Sequence, residues 1–306
     1  MGKKKGNTIL VIKRFEDEST ISIIEFIQNN LKSIASREII SFEVLKEEYG
    51  GRGFKHWVDL ANILKSKMLM PKDIGQKYIL IRFQKLDLGN SFHHTKTSQE
   101  KYGVNSKFFK IDKINEASFI YYYLQSLKNV DIKSRKRVIN LGINRADEFE
   151  VIREIVPINK LKNIEFVGVD YSKSAIEYAQ NRFKEPNFKF FQDDINDLDY
   201  DKLGKFDMLI TIGTLQSVNS NFKLLFMKLF KTLLTHNASL ILGFPNSRWI
   251  DGELIYGAKA PNYSYSELSI LYKDIYFCKK YLQQHKYRVT ITGKDYIFLT
   301  ATRIGL

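Results

Sequence analysis

Three short segments in the second half of the chain carry residue types suited to one kind of ligand. Residues 138–147 read VINLGINRAD, in which Gly142 follows an apolar run closed by Asn140 and Leu141, and a helix pattern opens soon after Asn144. Residues 167–172 read VGVDYS and end an apolar run on Asp170 and Tyr171; a carboxylate there can accept both hydroxyls of a ribose. Residues 192–198 read QDDINDL, where Asp194 can accept the exocyclic amine of an adenine and Ile195 can pack on its face. In an open parallel sheet a ligand sits beyond the carboxyl ends of the strands, near the point where strand order reverses. Together the three tips describe a nucleoside pocket.

The elements that must position them follow from periodicity. From residue 136 onward, runs at 137–141, 164–169, 188–191, 206–211 and 238–244 read as strands. Between them 147–155, 174–183 and 222–235 read as helices. Short apolar strands alternating with helices imply βαβ units and a parallel sheet covered on both faces. The ending departs from that rule. Residues 287–292 and 296–302 are β-rich runs separated by Gly293, Lys294 and Asp295, which predicts an antiparallel hairpin. The fold expected is therefore α/β, with a Rossmann-like, doubly wound, mostly parallel sheet and a C-terminal antiparallel hairpin.

Upstream, strands are predicted at 9–12, 38–45 and 78–83, and helical spacing at 21–31 and 56–68, the latter stopping before Pro71. This is a small N-terminal α+β module over residues 1–90. Residues 91–135 form a linker and lid: 86–115 are polar and irregular, and 116–127 read as a strongly aromatic helix containing Phe119 and Tyr121 to Tyr123. Residues 136–306 form the third segment.

From about Lys136 to the end, this order of elements resembles the class I S-adenosylmethionine-dependent methyltransferases. In that family a strand-loop-helix beginning DxGxGxG wraps the methionine part of the cofactor. An acid ending the second strand holds the ribose, and an acid after the third holds the adenine amine. The resemblance implies those roles for Gly142, Asp170 and Asp194, with Asn140, Asn144, Tyr171 and Ile195 beside them. Residues 206–217 (FDMLITIGTLQS) resemble the fourth-strand segment, which places Gly213 near the reactive methyl. The chain departs from the motif at Asn140, where the family has an acid, and at Asn144 and Ala146, where it has glycines. Asn enters left-handed conformations more readily than most residues, and Ala is the next smallest side chain. The cofactor implied is S-adenosyl-L-methionine.

A nicotinamide dehydrogenase is the nearest rival. Its GxGxxG is absent, and Asp170 lies 28 positions after Gly142, against about 20 in that fingerprint. Among individual residues, Ser172 suits the cap of the helix after Asp170 better than Asp170 does. Of Asp193 and Asp194, spacing to Leu198 favours Asp194 for the adenine. Arg145 suits either the cofactor carboxylate or solvent. His93 and His94, beside Lys96, have no acid or cysteine at ligand spacing, so no metal is expected. A polar stretch at 247–265, with Arg248, Trp249, Asp251, Glu253, Tyr256, Lys259, Tyr263 and Tyr265, reads as a loop over the acceptor pocket.

The 306 residues hold 48 Lys and Arg against 34 Asp and Glu, a formal charge of +14. Clustered cations of this excess suit an anionic partner such as RNA, in which case Lys96, Lys101, Lys107, Lys110 and the short basic cluster at 133–137 are expected to line one face with the 248–265 loop; codon-driven lysine enrichment, with lysines spread over all faces, is the competing source. The single cysteine, Cys278, excludes an internal disulfide and a cysteine zinc cluster and favours a reducing, cytoplasmic setting. No run reaches a membrane span, and MGKKKG leads into no signal-peptide core. Methyl transfer from a sulfonium is an in-line displacement, so no catalytic base is obligatory, and none is assigned. Residues 212–217 (IGTLQS) lack the [DNS]PP[FYW] signature for exocyclic base nitrogens, and Cys278 lies in a helical stretch away from any strand tip. The expectation is an RNA methyltransferase. The alternatives are a small-molecule or protein methyltransferase, to whose metabolite-type members residues 213–217 bear a likeness, and a non-catalytic S-adenosylmethionine-binding relative.

Overall fold

A computed structural model describes residues 11–87, 102–106, 108–216, 221–246, 248–250, 253–255 and 269–305. The chain divides into two compact units, Met1–Ser91 with Trp249–Ile255, and Phe92–Arg248 with Tyr256–Leu306. His93, His94, Lys96, Lys101 and Lys107, and most of the 247–265 stretch, lie outside the described residues.

In the first unit, β1 (Val11–Phe15), α1 (Thr20–Ser33) and β2 (Ile39–Leu45) form a parallel β-α-β turn. The Ser19 hydroxyl caps α1 by accepting from the Ser22 amide, and Ile23, Ile27 and Leu31 repeat every fourth residue on its buried face. α2 (Phe54–Ile63) buries Trp57, Leu60 and Ala61. β3 (Ser66–Met68), β4 (Lys72–Asp73) and β5 (Tyr78–Lys85) complete a sheet of order β1-β2-β5-β3, with β4 also on β5. Helical spacing extends to residue 68 in the sequence, yet α2 stops at Ile63. Lys65 takes a left-handed φ of 54°, and Ser66 to Met68 pair antiparallel with Lys85 to Phe83. Phe15, Phe42 and Phe83 form an edge-to-face chain at the centre of this unit's core.

The second unit opens with α3 (Ala117–Asn129). It continues with β6 (Arg137–Leu141), α4 (Asp147–Ile155), α5 (Ile158–Leu161), β7 (Glu165–Asp170), α6 (Lys173–Arg182) and β8 (Phe188–Gln192). Then come α7 (Tyr200–Leu203), β9 (Phe206–Ile212), α8 (Phe222–Leu233) and β10 (Leu234–Pro245). Two short strands that pair with each other, β11 (Arg248–Ile250) and β12 (Glu253–Ile255), belong almost wholly to the first unit; in the second, α9 (Ser269–Gln284) leads to β13 (Tyr287–Gly293) and β14 (Tyr296–Arg303). Seven strands share one sheet in the order β13-β14-β10-β9-β6-β7-β8. β8, β7, β6, β9 and β10 run parallel, while β14 is antiparallel to both β10 and β13.

The central strands β6, β7 and β9 are buried almost throughout because each face is covered, whereas the edge strand β8 exposes Lys189 and Gln192. On one face Phe119 and Tyr123 of α3 and Phe149 of α4 meet Phe166, Phe188 and Phe298. On the other, Phe226 and Leu229 of α8 and Cys278 and Leu282 of α9 meet Leu141, Leu209 and Leu240. Phe119 and Tyr123 are thus core residues, whereas Tyr121 is 60% exposed. Strand order reverses between β6 and β9, so the crevice for a ligand opens beyond Leu141 and Ile212. Among the described residues no helix is long and apolar enough to cross a membrane.

Candidate functional site

Beyond β6 the chain must leave the sheet in a single residue. Gly142 does so at φ 76°, and the Gly142 and Ile143 amides both donate to the Val169 carbonyl, at 2.8 and 3.0 Å. A Cβ on Gly142 would lie 2.0 Å from Oγ1 of Thr214, which follows β9 and donates to the Leu141 carbonyl at 3.0 Å. Both the positive φ and the close approach require glycine here. Gly213 lies on the facing side of the crevice, also at φ 76°, with its amide on the Gly243 carbonyl.

The loop continues through two left-handed residues that are not glycine, Asn144 (φ 45°) and Ala146 (φ 58°). The Asn144 amide donates to Oδ2 of Asp170, the last residue of β7, at 2.8 Å, and the Ser172 amide donates to Oδ1 at 2.9 Å. Asp170 is only 8% exposed. Its carboxylate is therefore oriented by the backbone of both tips. Ser172 caps α6, accepting from the Ala175 amide, which leaves Asp170 free of that duty. Tyr171, next to it, is half exposed.

At the third tip Asp194 caps a short turn over Ile195–Asp197, with Oδ1 accepting from the amide and side chain of Asn196 at 2.9 and 2.8 Å. Ile195 is buried. Asp193 accepts from the Asp194 amide at 2.9 Å and lines a cavity of about 340 Å³ along the β8 edge, with Phe191, Gln192 and Lys173. Asn140, 1% exposed and two residues before Gly142, has no hydrogen-bond partner for its Nδ2 among the described residues.

Over these tips lies a segment that sequence reasoning treats as irregular, residues 102–106 and 108–115. Asn144 Nδ2 donates to the Tyr102 carbonyl at 2.8 Å, and the Val104 amide donates to Ser174 Oγ at 3.1 Å. Arg145 turns toward this segment rather than to solvent, reaching the Phe109 carbonyl at 3.4 Å and Asp112 at 3.5 Å. Lys113 is buried and donates to Glu148 of α4 at 2.5 Å. Burial pushes the Lys113 ammonium toward its neutral form, but Glu148 and Asp147 outweigh burial and hold it above its ordinary value. Arg182 of α6 binds Asp147 Oδ1 at 2.8 Å and the Arg145 carbonyl at 2.7 Å. No local pattern marks Lys113 as buried; its partner is 35 residues away.

The cluster at 133–137, a basic patch in the sequence, sits at the opposite end of β6 from Gly142, about 16 Å away at about 3.3 Å per residue. There Arg137 is committed to Glu165 and to the carbonyls of Leu203 and Lys205. It therefore does not line the crevice.

The strand order, the antiparallel ending and the glycine turn facing an acid-tipped second strand define the class I S-adenosylmethionine-dependent methyltransferase fold, whose cofactor is S-adenosylmethionine. A family model described as a methyltransferase domain matches residues 132–289, and the chain belongs to that family. No curated protein matches it in sequence. Among solved structures, it is similar to the methyltransferase domain of bacterial CtHen1-CN, at 19% identity over 62% of this chain and 99% of that one, with a TM-score of 0.43. It is also similar to the N-methyltransferase NodS from Bradyrhizobium japonicum in complex with S-adenosyl-L-homocysteine (14% identity, 64% and 93% covered, TM-score 0.43). A third is the CMeT domain of the citrinin polyketide synthase (18% identity, 67% and 55% covered, TM-score 0.42).

Proposed function

We propose that this protein transfers the methyl group of S-adenosylmethionine to RNA, with the cofactor seated on the tips of β6, β7, β8 and β9. Asp170 takes the ribose hydroxyls. The Asn144 and Ser172 amides already fix the plane of its carboxylate at the mouth of the crevice. Gly142, Asn144 and Asn140 surround the methionine part, where the orphaned Nδ2 of Asn140 suits an acceptor group on the ligand. Tyr171 and Ile195 flank the adenine, Asp194 accepts its amine, and Gly213 leaves room near the sulfonium.

The observation that carries the cofactor reading is the convergence of the Gly142 turn and the doubly held Asp170 at the reversal of strand order. The cofactor supplies an activated methyl group. The chain's residues bind, align and exclude water, which suffices for an in-line displacement. Support for RNA is the +14 charge. With the 133–137 cluster at the far end of β6, acceptor contacts fall to other cations, such as exposed Lys110 beside the tips, and to the N-terminal module of residues 1–90, which we assign to the acceptor.

The test is transfer of radiolabelled methyl groups from S-adenosylmethionine into RNA, protein and small-metabolite fractions of a strain lacking the enzyme. Label in RNA, with affinity falling at a log-log slope of about −0.7 per phosphate contacted as salt rises, is expected. Label confined to metabolites or protein would replace RNA with that acceptor class.

A further inference from the structure

The loop between β6 and α4 holds left-handed backbone at Asn144 and Ala146, two positions without glycine. An L-residue in that region is strained, and such strain persists only where the surroundings over-determine the conformation. The surroundings here are specific. Residues 102–106 and 108–115 reach the loop and its flanks at four points: Tyr102 to Asn144, Phe109 and Asp112 to Arg145, and Lys113 to Glu148. The same segment grips α6 through Val104 on Ser174 and the Phe109 ring edge-on to Tyr178, 5.1 Å between centroids. Ala146 itself gives α4 no side-chain cap. α4 is anchored in its first turn instead, by Lys113 on Glu148 and Arg182 on Asp147.

We propose that this segment is a brace that replaces the missing loop glycines, and that Lys113 is its positioning residue. The ammonium fixes Glu148, and with it the start of α4, so that the strained loop stays in the geometry that presents the Asn144 amide to Asp170. Lys113 suits the task because its buried ammonium donates to Glu148, whose own carbonyl accepts from the Tyr123 hydroxyl at 3.3 Å. Loss of Lys113 alone would leave Glu148 as an unpaired buried charge. A variant that removes both charges avoids that confusion. The proposal rests on the reading of residues 142–146 as the cofactor loop, and its test separates the two.

The experiment is a cycle in the full chain, reading S-adenosylhomocysteine affinity by calorimetry and amide hydrogen exchange over residues 142–147. The Lys113→Gln, Glu148→Gln double variant should bind about tenfold more weakly, as release of one left-handed residue predicts, and its loop amides should exchange faster. Adding Ala146→Gly, which accepts φ 58° without strain, should recover most of the affinity. A merely structural role for the ion pair predicts no such recovery. Wild-type affinity and exchange in the double variant, or no recovery on adding Ala146→Gly, overturns the proposal. Should the double variant fail to fold, the wild-type protein still decides: the loop and residues 102–106 and 108–113 should exchange as one unit, and a loop that exchanges well before those residues overturns the brace. Absence of any binding by the wild-type chain would defeat the cofactor reading, while the exchange results would still judge the brace.

Discussion

The Asn144 amide and the Asp170 carboxylate, 26 residues apart, meet at 2.8 Å in a buried setting and tie the first strand tip to the second. Asp170→Asn keeps the shape but can set an amide NH2 against either the Asn144 or the Ser172 amide, donor to donor. A hydrogen bond to a charged group contributes about 1.5–3 kcal/mol. Thermal denaturation should show a loss of that order even without ligand. An unchanged melting temperature would show that the carboxylate does not hold the loop.

Gly142→Ala adds two penalties at once. Its φ of 76° costs an L-residue about 1–2 kcal/mol, and the new methyl would meet Thr214 Oγ1. Thr214→Ala removes the two nearest atoms but keeps its own Cβ at 2.8 Å, so it should relieve part of the second penalty and none of the first, and the double variant should be more stable than Gly142→Ala alone. Chemical denaturation measures the difference. Equal stability of the two would place the whole effect in the backbone.

Glu165 at the start of β7 accepts from Lys189 at 2.7 Å and Arg137 at 2.5 Å, and these bonds, Lys189 first, lower its carboxyl below the ordinary value against the opposing effect of burial. A carboxylate with a lowered folded-state value contributes stability above its unfolded value and loses it as pH falls through the folded one. Glu165→Gln should therefore flatten the acid limb of the stability profile below about pH 4.5, the model-peptide range for Glu. An acid limb identical to wild type would assign that limb to other groups.

Much of this architecture is legible in the chain because its physics is local. Runs such as 166–169 (FVGV) are apolar without alternation, as a sheet covered on both faces requires, and Ser172 announces the start of α6 by its hydroxyl. The terminal hairpin shows through Gly293, which turns between β13 and β14 at φ 124°. What is not legible depends on partners far away in sequence. Lys113 lies in a polar run and reads as a surface lysine until Glu148 is brought to it. β3 is hidden because the stop at Lys65 uses neither glycine nor proline. The basic residues at 133–137 look like a patch by composition, whereas their place at the start of β6 puts them at the wrong end of the strand.

We place S-adenosylmethionine on the Gly142, Asp170 and Asp194 tips. Calorimetric titration of S-adenosylhomocysteine into the wild-type chain, Asp170→Ala and Asp193→Ala tests it most directly. Saturable binding to the wild type is expected, with a loss of at least about tenfold for Asp170→Ala, since 1.4 kcal/mol is a factor of ten, and near wild-type binding for Asp193→Ala. Equal effects of the two substitutions, or no detectable heat from the wild-type protein at millimolar ligand, would contradict it.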